Sequence, residues 1–350
     1  MVDKRHCCLS TSWQQAKQTK MKTIIFGLIA LLIISCNEKP KMEFSLIGTT
    51  NGIDDGTLIY LDYNYKTLDS TEVKGNTFEF KTKLTASPIK LWIHNKDFSN
   101  YRSFWAENKP MTFDATKNNF RDAKIVGSET ENLSFSLYQK IDTLPRSERQ
   151  KKEMEFVKNN PNSIVSASML SLYSTTWRKE KTKELYEQLS TDNKNSKFGK
   201  EIARFIELSK EPKIGEQFID FESENINGDL KKISELKGKI ILLEFWASWC
   251  GPCRQENPNL VKTYQEFNPK GFEIFAVSLD KDKNSWLKAI ENDKLNWEHV
   301  SDLKGSRNEA SLIYGVSGIP DNFLIGDNGE IIGRNLRGDK LNEKLKEILQ

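Results

Sequence analysis

Residues 239–247, KIILLEFWA, restrict the possible folds of this chain more than any other stretch. A strand of this composition is apolar on both faces, so both must be covered by other elements, as in a buried parallel sheet. GFEIFAVSL, residues 271–279, is a second strand of the same kind, and residues 321–335, DNFLIGDNGEIIGRN, read as a hairpin turning at 327–329. Helical spacing lies between and after them, over residues 255–267, 284–292 and 340–349. Strands alternating with helices predict an α/β layer with crossover connections over residues 211–350.

The preceding chain is patterned differently. Over residues 43–130, TFEFKTKL alternates apolar and polar side chains, and TLIYLDY, IKLWIH and MTFDA are further short runs. Asn51-Gly52, Asp55-Gly56, Gly75-Asn76 and Lys109-Pro110 separate them with turn chemistry. These features predict a small antiparallel β domain, a sandwich or barrel. Its Tyr60, Tyr63, Tyr65, Trp92 and Trp105 read as core and cross-strand packing before they read as a binding surface. Residues 131–210 turn helical. One helix closes at Asn159-Asn160-Pro161, Asn162 or Ser163 caps a second, SIVSASMLSLY, and KEKTKELYEQLS forms a third with Leu185 and Leu189 four residues apart. The segment carries no ligand set and reads as a connector that spaces or pairs the flanking domains.

The N-terminus reads as an address. Residues 21–36, MKTIIFGLIALLIISC, place a lysine before an apolar run of 11 residues and then Ser35-Cys36. The run is too short to cross a hydrocarbon core of about 30 Å and has the length of a signal-peptide core. Ile33-Ile34-Ser35-Cys36 resembles a bacterial lipobox, which implies cleavage before Cys36, a lipid on its sulfur and a chain facing the periplasm. Residues 1–20 fit neither a signal nor a fold, so Met21 is the expected start, and Cys7 and Cys8 are then absent from the protein. Residues 36–42 form a short polar tether.

Composition removes some function classes. The chain has 52 basic and 49 acidic residues among 350, a net charge of +3, and no clustered basic excess of the kind nucleic acid requires. Lysine-rich residues 179–183 read as a solvated helix face.

With Cys36 lipidated, Cys250 and Cys253 remain as one pair, standing where the strand of residues 239–247 ends and a helix begins. At a helix N-terminus unpaired N–H groups and the helix dipole stabilise a thiolate and lower its pKa. Cys250 is expected to be exposed there, with Cys253 one turn further on and more buried. Pro252 suits the first helical turn, where a missing N–H is no loss. Structural zinc needs four ligands, but the chain offers His6, His94 and His299 and no second cysteine pair. A purely structural disulfide across two residues closes too small a loop to stabilise much. A redox pair that needs no other cofactor and no metal is the reading left. Glu244 interrupts the apolar strand six residues before Cys250. A carboxyl buried there without a cation should have a raised pKa and can act as acid or base.

FWASWCGPC, residues 245–253, closely resembles the active-site motif of thioredoxin-like proteins. IGEQFIDFE, LKGKIILLEFWASWCGPCRQENPNL and YGVSGIPDNFLIGDNGEIIGRNLRG extend the likeness over residues 212–350 to the membrane-tethered thiol–disulfide oxidoreductases of the TlpA and ResA type. The β domain and helical segment resemble the N-terminal region preceding such modules in many Bacteroidetes lipoproteins. The resemblance implies that Cys250 is the nucleophile and Cys253 the resolving thiol. It implies a cis peptide before Pro320, with the Ile319 backbone pairing to the substrate chain. Trp249, Gly251 and Pro252 would face the partner. Glu244 stands where thioredoxin has a buried aspartate, and Glu256 matches a glutamate that tunes the thiols. The architecture implied is a thioredoxin-like C-terminal α/β domain preceded by a small β domain and a helical connector.

The function so implied is a membrane-anchored protein-disulfide oxidoreductase. The Gly-Pro dipeptide leans toward reduction, in cytochrome c maturation or redox homeostasis. Its partners would be protein thiols and disulfides, a membrane electron donor and, through the lipid, the membrane itself. A thiol peroxidase is weaker, because Leu243 and Ala247 stand where that motif has proline and threonine. A binding lipoprotein with secondary redox activity is the other alternative.

Overall fold

The computed structural model describes residues 43–349 other than Asn118 and Lys237. The signal stretch, Cys7, Cys8, Cys36 and the tether lie outside the described residues. The chain divides into two compact units after Ser128.

The first unit holds β1 (Phe44–Thr49), β2 (Leu58–Tyr63), β3 (Lys66–Glu72), β4 (Thr77–Thr82), β5 (Ile89–Asn95), β6 (Tyr101–Ala106), β7 (Pro110–Asp114) and β8 (Lys124–Val126). They form two four-stranded sheets, ordered β4-β1-β7-β8 and β3-β2-β5-β6. Leu46, Phe80 and Phe113 from one sheet share a core with Leu61, Leu91 and Phe104 from the other. The period-2 alternation in β1 and β4 supplies this inner face. Gly75 and Asn76 both take positive φ, 57° and 60°, and make the tight turn into β4. Two expectations change. The unit is not wholly antiparallel, because β1 pairs parallel with β7. The aromatics also divide: Trp105 is buried, whereas Trp92 and Tyr65 are 45% and 90% exposed. Trp92 alternates with the buried Leu91 and Ile93 and so faces outward. Tyr65 occupies the β2–β3 turn at φ 64°.

The second unit begins with α1 (Glu129–Ile141), α2 (Arg146–Asn159), α3 (Ile164–Gln188), α4 (Thr191–Asn195) and α5 (Lys197–Leu208). Ser163 caps α3 by accepting from the Val165 N–H. α3 spans the two helices expected from the sequence and is broken at Arg178, where φ is 68° and ψ 160°. Val157, Leu170, Trp177, Leu185, Leu189 and Ile202 are the helical core. These helices do not stand apart as a spacer. Arg178 Nη1 donates to the Gly315 carbonyl at 2.9 Å, Arg307 reaches Glu201 at 3.0 Å, and Arg204 pairs with Glu309 at 2.7 Å. Long-range ties of this kind make the helices one unit with the sheet that follows.

That sheet is built from β11 (Ile240–Trp246), β12 (Phe272–Ser278), β13 (Glu298–Val300), β14 (Asp321–Ile325) and β15 (Ile331–Arg334), after a small ribbon of β9 (Glu222–Glu224) and β10 (Leu230–Lys232). Its order is β13-β12-β11-β14-β15. β11, β12 and β13 run parallel, and β14 and β15 are antiparallel. The helices are α6 (Gly251–Phe267), α7 (Lys283–Asp293), α8 (Glu309–Ile313) and α9 (Asp339–Ile348). β11 is buried along its whole length, as its composition requires. Ile240, Leu242 and Trp246 pack against α6, α7 and α9. Ile241, Leu243 and Phe245 pack against α8 on the other face. This is a thioredoxin-like layer. β9, β10, β13 and α8 were not expected, since three to five residues are too few to show a period.

Candidate active site

β11 ends at Trp246, and the chain turns into α6 through Ala247–Cys250. Arg254 Nη1 donates to the Ser248 carbonyl at 3.1 Å. Asp280, just beyond β12, accepts from the Ser248 N–H at 2.9 Å and from its hydroxyl at 2.6 Å. Asp293 holds Arg254 by a two-point ion pair and accepts from Asn257 at 2.7 Å. These six hydrogen bonds fix the turn that presents Cys250.

Cys250 is the N-cap of α6, and its Sγ accepts from the Cys253 N–H at 3.2 Å. The two sulfurs form a disulfide. One expectation is corrected here: Cys250 is buried, 4% exposed, and not open at the surface. Its sulfur is bonded inward to Cys253, and both cysteines belong to the cluster of Trp246, Leu260 and Trp286. The rim around them is open. Trp249 is 65% exposed, Gly251 and Pro252 are exposed, and a Cβ placed on Gly251 would meet nothing within 4 Å. Trp246 is buried packing.

The Ile319–Pro320 peptide is cis, and Ile319 packs against the cluster that contains both cysteines. β14 starts directly after Pro320. Its register sets Asp321 against Phe245 and Asn322 against Glu244, so the proline loop lies beside the end of β11 that delivers the cysteines. Ser317 and Gly318 are exposed, opposite Trp249 in character and alike in access.

Glu244 lies on the same face of β11 as Leu242 and Trp246, which is the face the cysteines pack on. It is buried, and its Oε2 has no hydrogen-bond partner among the described residues. Burial pushes its carboxyl up to about 8, against the opposing pull of the Asn322 hydrogen bond and the Arg337 charge. Glu256 is half-buried on α6. Its Oε1 accepts from the Gly338 N–H and from Asn259 Nδ2, both at 2.9 Å. Its charge adds to the rise at Glu244. The carboxyl thus anchors the start of α9 as well as facing the site.

Sequence reasoning missed Arg254, Asp280, Asp293, Asn322 and Arg337. Asp280 closes a parallel strand at the edge where such sheets place their sites, which was a usable signal. The others become visible only through contacts between distant residues. Behind the site, His299 stacks on Trp297 and tilts against Trp246, and burial holds its imidazole down at about 3.

A thioredoxin-like layer with a dithiol at a helix N-terminus beside a cis-proline loop defines a class of thiol–disulfide exchange proteins, and comparison with known proteins narrows it. The AhpC/TSA family matches residues 214–334, and a family described as a domain of unknown function, DUF4369, matches residues 44–133. A thiol-disulfide oxidoreductase ResA of Bacillus cereus is 31% identical over 145 residues, covering 41% of this chain and 82% of that protein. The ResA of Halalkalibacterium halodurans is 30% identical over 138 residues, covering 39% and 77%. The solved thioredoxin domain of a Bacteroides vulgatus thiol-disulfide oxidoreductase is 33% identical, covering 40% of this chain and 99% of that one, with a TM-score of 0.38. The chain belongs to the ResA-type thiol–disulfide oxidoreductases of the thioredoxin-like superfamily, extended at its N-terminus by a DUF4369 β domain.

Proposed function

We propose that this thiol–disulfide oxidoreductase works as a reductase of protein disulfides on the periplasmic side of a membrane, held there by lipid on Cys36. The observation that carries the redox cycle is the position of Cys250. Its sulfur caps α6 and receives the Cys253 N–H, so the helix stabilises a thiolate at that atom. The thiolate attacks one sulfur of a substrate disulfide, and the other substrate sulfur leaves as a thiolate and takes up a proton. Cys253 then passes its proton to Glu244 and attacks Cys250 Sγ. The second substrate sulfur departs, the substrate has gained two electrons, and the Cys250–Cys253 disulfide is left. A dithiol donor at the membrane restores the pair. Trp249, Gly251 and Pro252 on one side and Ile319 and Pro320 on the other are the surfaces a substrate segment meets. Disulfide-bearing exported proteins, apocytochromes c among them, fit this chemistry.

Cys253→Ser should hold substrates as mixed disulfides on Cys250, because the release step is gone. Non-reducing gels and mass spectrometry of the captured species read this out, and a variant that captures nothing would count against the cycle. The pair should have a reduction potential below about −200 mV, whereas a value near −120 mV would make it an oxidant. Labelled fatty acid should be incorporated by the parent protein and not by Cys36→Ser; equal labelling would remove the anchor at that residue.

A further inference from the structure

Residues 335–338, between β15 and α9, form a strap tied to Asn322, Pro320 and Glu256. The Asn335 N–H donates to the Asn322 carbonyl and the Leu336 N–H to Asn322 Oδ1, both at 3.0 Å. Asn322 Nδ2 donates back to the Leu336 carbonyl at 2.9 Å. The Gly338 N–H is held by Glu256. Arg337 Nη2 donates to the carbonyl of Pro320, and also to Asn335 Oδ1 at 3.2 Å. Arg337 Nε and Glu244 Oε2 are both buried without a hydrogen-bond partner among the described residues.

We propose that Arg337 is a positioning residue of the redox site: it fixes the Pro320 carbonyl, and with it the cis-proline loop, while setting the charge that Glu244 carries when Cys253 gives up its proton. The strap argument is geometric. Arg337 bonds the Pro320 carbonyl, next to Ile319 on the cysteine cluster, and its neighbours in the strap bond Asn322, which stands opposite Glu244, and Glu256 on α6. The charges acting on Glu244 are few. Asp321 and Glu256 repel its ionised form, and Arg337 favours it. Arg334 does not relieve Asn322's side of the site, because it is engaged with Asp321 at 2.7 Å. Ala276, across β11 from Glu244 on β12, carries no charge. His299 on β13 stands in the same cross-sheet row, two strands from Glu244, and burial holds its imidazole low; Cys250 and Cys253 pack on that face as well. Arg337 is therefore a cation that works against burial at this carboxyl.

The inference rests on the exchange cycle described above, and a reaction that isolates its second half tests it. The reduced chain, with Cys7, Cys8 and Cys36 replaced by serine so that Cys250 and Cys253 are its only thiols, is mixed with dithiobis(nitrobenzoate). Cys250 displaces one coloured thiolate and becomes a mixed disulfide. Cys253, losing its proton to Glu244, then attacks Cys250 Sγ and releases the second. The rate of the second release should rise with pH as Glu244 ionises. In Arg337→Ala its midpoint should move up by about one pH unit, and the rate near neutrality should fall about tenfold. The first release should keep its rate and its pH profile. Arg337→Lys keeps the charge and should restore the midpoint. Arg337→Met keeps the apolar stem, should behave as Arg337→Ala does, and serves if the alanine variant does not fold. A merely structural tie would slow both releases alike with no movement of the midpoint, and that outcome overturns the proposal. A folded Arg337→Ala or Arg337→Met with the parent's midpoint overturns it as well. A parent protein that releases one thiolate and not two would instead defeat the exchange cycle itself.

Discussion

Cys250→Ser should abolish the reduction of protein disulfides, a loss of more than about 10³-fold, the scale seen when a catalytic nucleophile is removed. The variant should fold normally, and the structure says why. Cys250 is the N-cap of α6, and serine is among the best residues for that position, so the Cys253 N–H keeps an acceptor. The lost disulfide spans a separation of 3 residues, a loop too small for its closure to have stabilised the fold much. A hydroxyl at this site stays protonated and cannot attack sulfur, so the chemistry stops at its first step. Insulin reduction measured alongside circular dichroism checks both halves of the expectation. A folded variant retaining a tenth of the parent rate would show that Cys250 is not the attacking thiol.

Glu244→Gln should have the second large effect, and it shows in both stability and rate. The carboxyl titrates at about 8 in the folded protein, against an ordinary value of 4.5. Below the lower value it is protonated in folded and unfolded chains alike, and the stability tied to that proton is fully present. As pH rises through the window between the two values, the unfolded chain releases the proton and the folded chain keeps it. Stability is therefore lost progressively until the folded carboxyl ionises as well, in total up to about 5 kcal/mol. Glutamine cannot ionise, so the variant should lose far less stability than the parent between mildly acid and mildly alkaline solution. Urea unfolding of the disulfide form at the two ends of that range reads the difference, and parallel losses in parent and variant would contradict a buried titrating carboxyl. Glutamine also cannot accept the Cys253 proton, so release of substrate from the mixed disulfide should slow by about 10²–10⁴-fold and lose its dependence on pH around 8.

The chemistry of this protein was legible wherever it is written in neighbouring residues. The all-apolar run of β11 required a sheet covered on both faces, and the Cys-Gly-Pro-Cys stretch after it required a strand-to-helix turn. Ser163 and Asn160 marked helix ends through their own side chains. Pro320 entered through a motif, and its loop lies beside the end of β11, because β14 pairs with β11 in a register that the hairpin sequence alone does not specify.

What stayed hidden depended on residues brought together from far apart. The broken helix at Arg178 and its bond to Gly315 join positions 137 residues apart, and this turned an expected spacer into part of the catalytic unit. The tie from Glu256 to Gly338 spans 82. Burial of Cys250 and the exposure of Trp92 depended on which neighbours each side chain met. By itself the sequence determined the layer and the dithiol at its helix, since local periodicity and capping act over a few residues, and the nature of the reaction came from the motif's resemblance to thiol–disulfide oxidoreductases. Only the tertiary structure decided the electrostatics. The charge state of Glu244 is a balance of desolvation against Asn322 and Arg337, and those groups act on it through space and not along the chain.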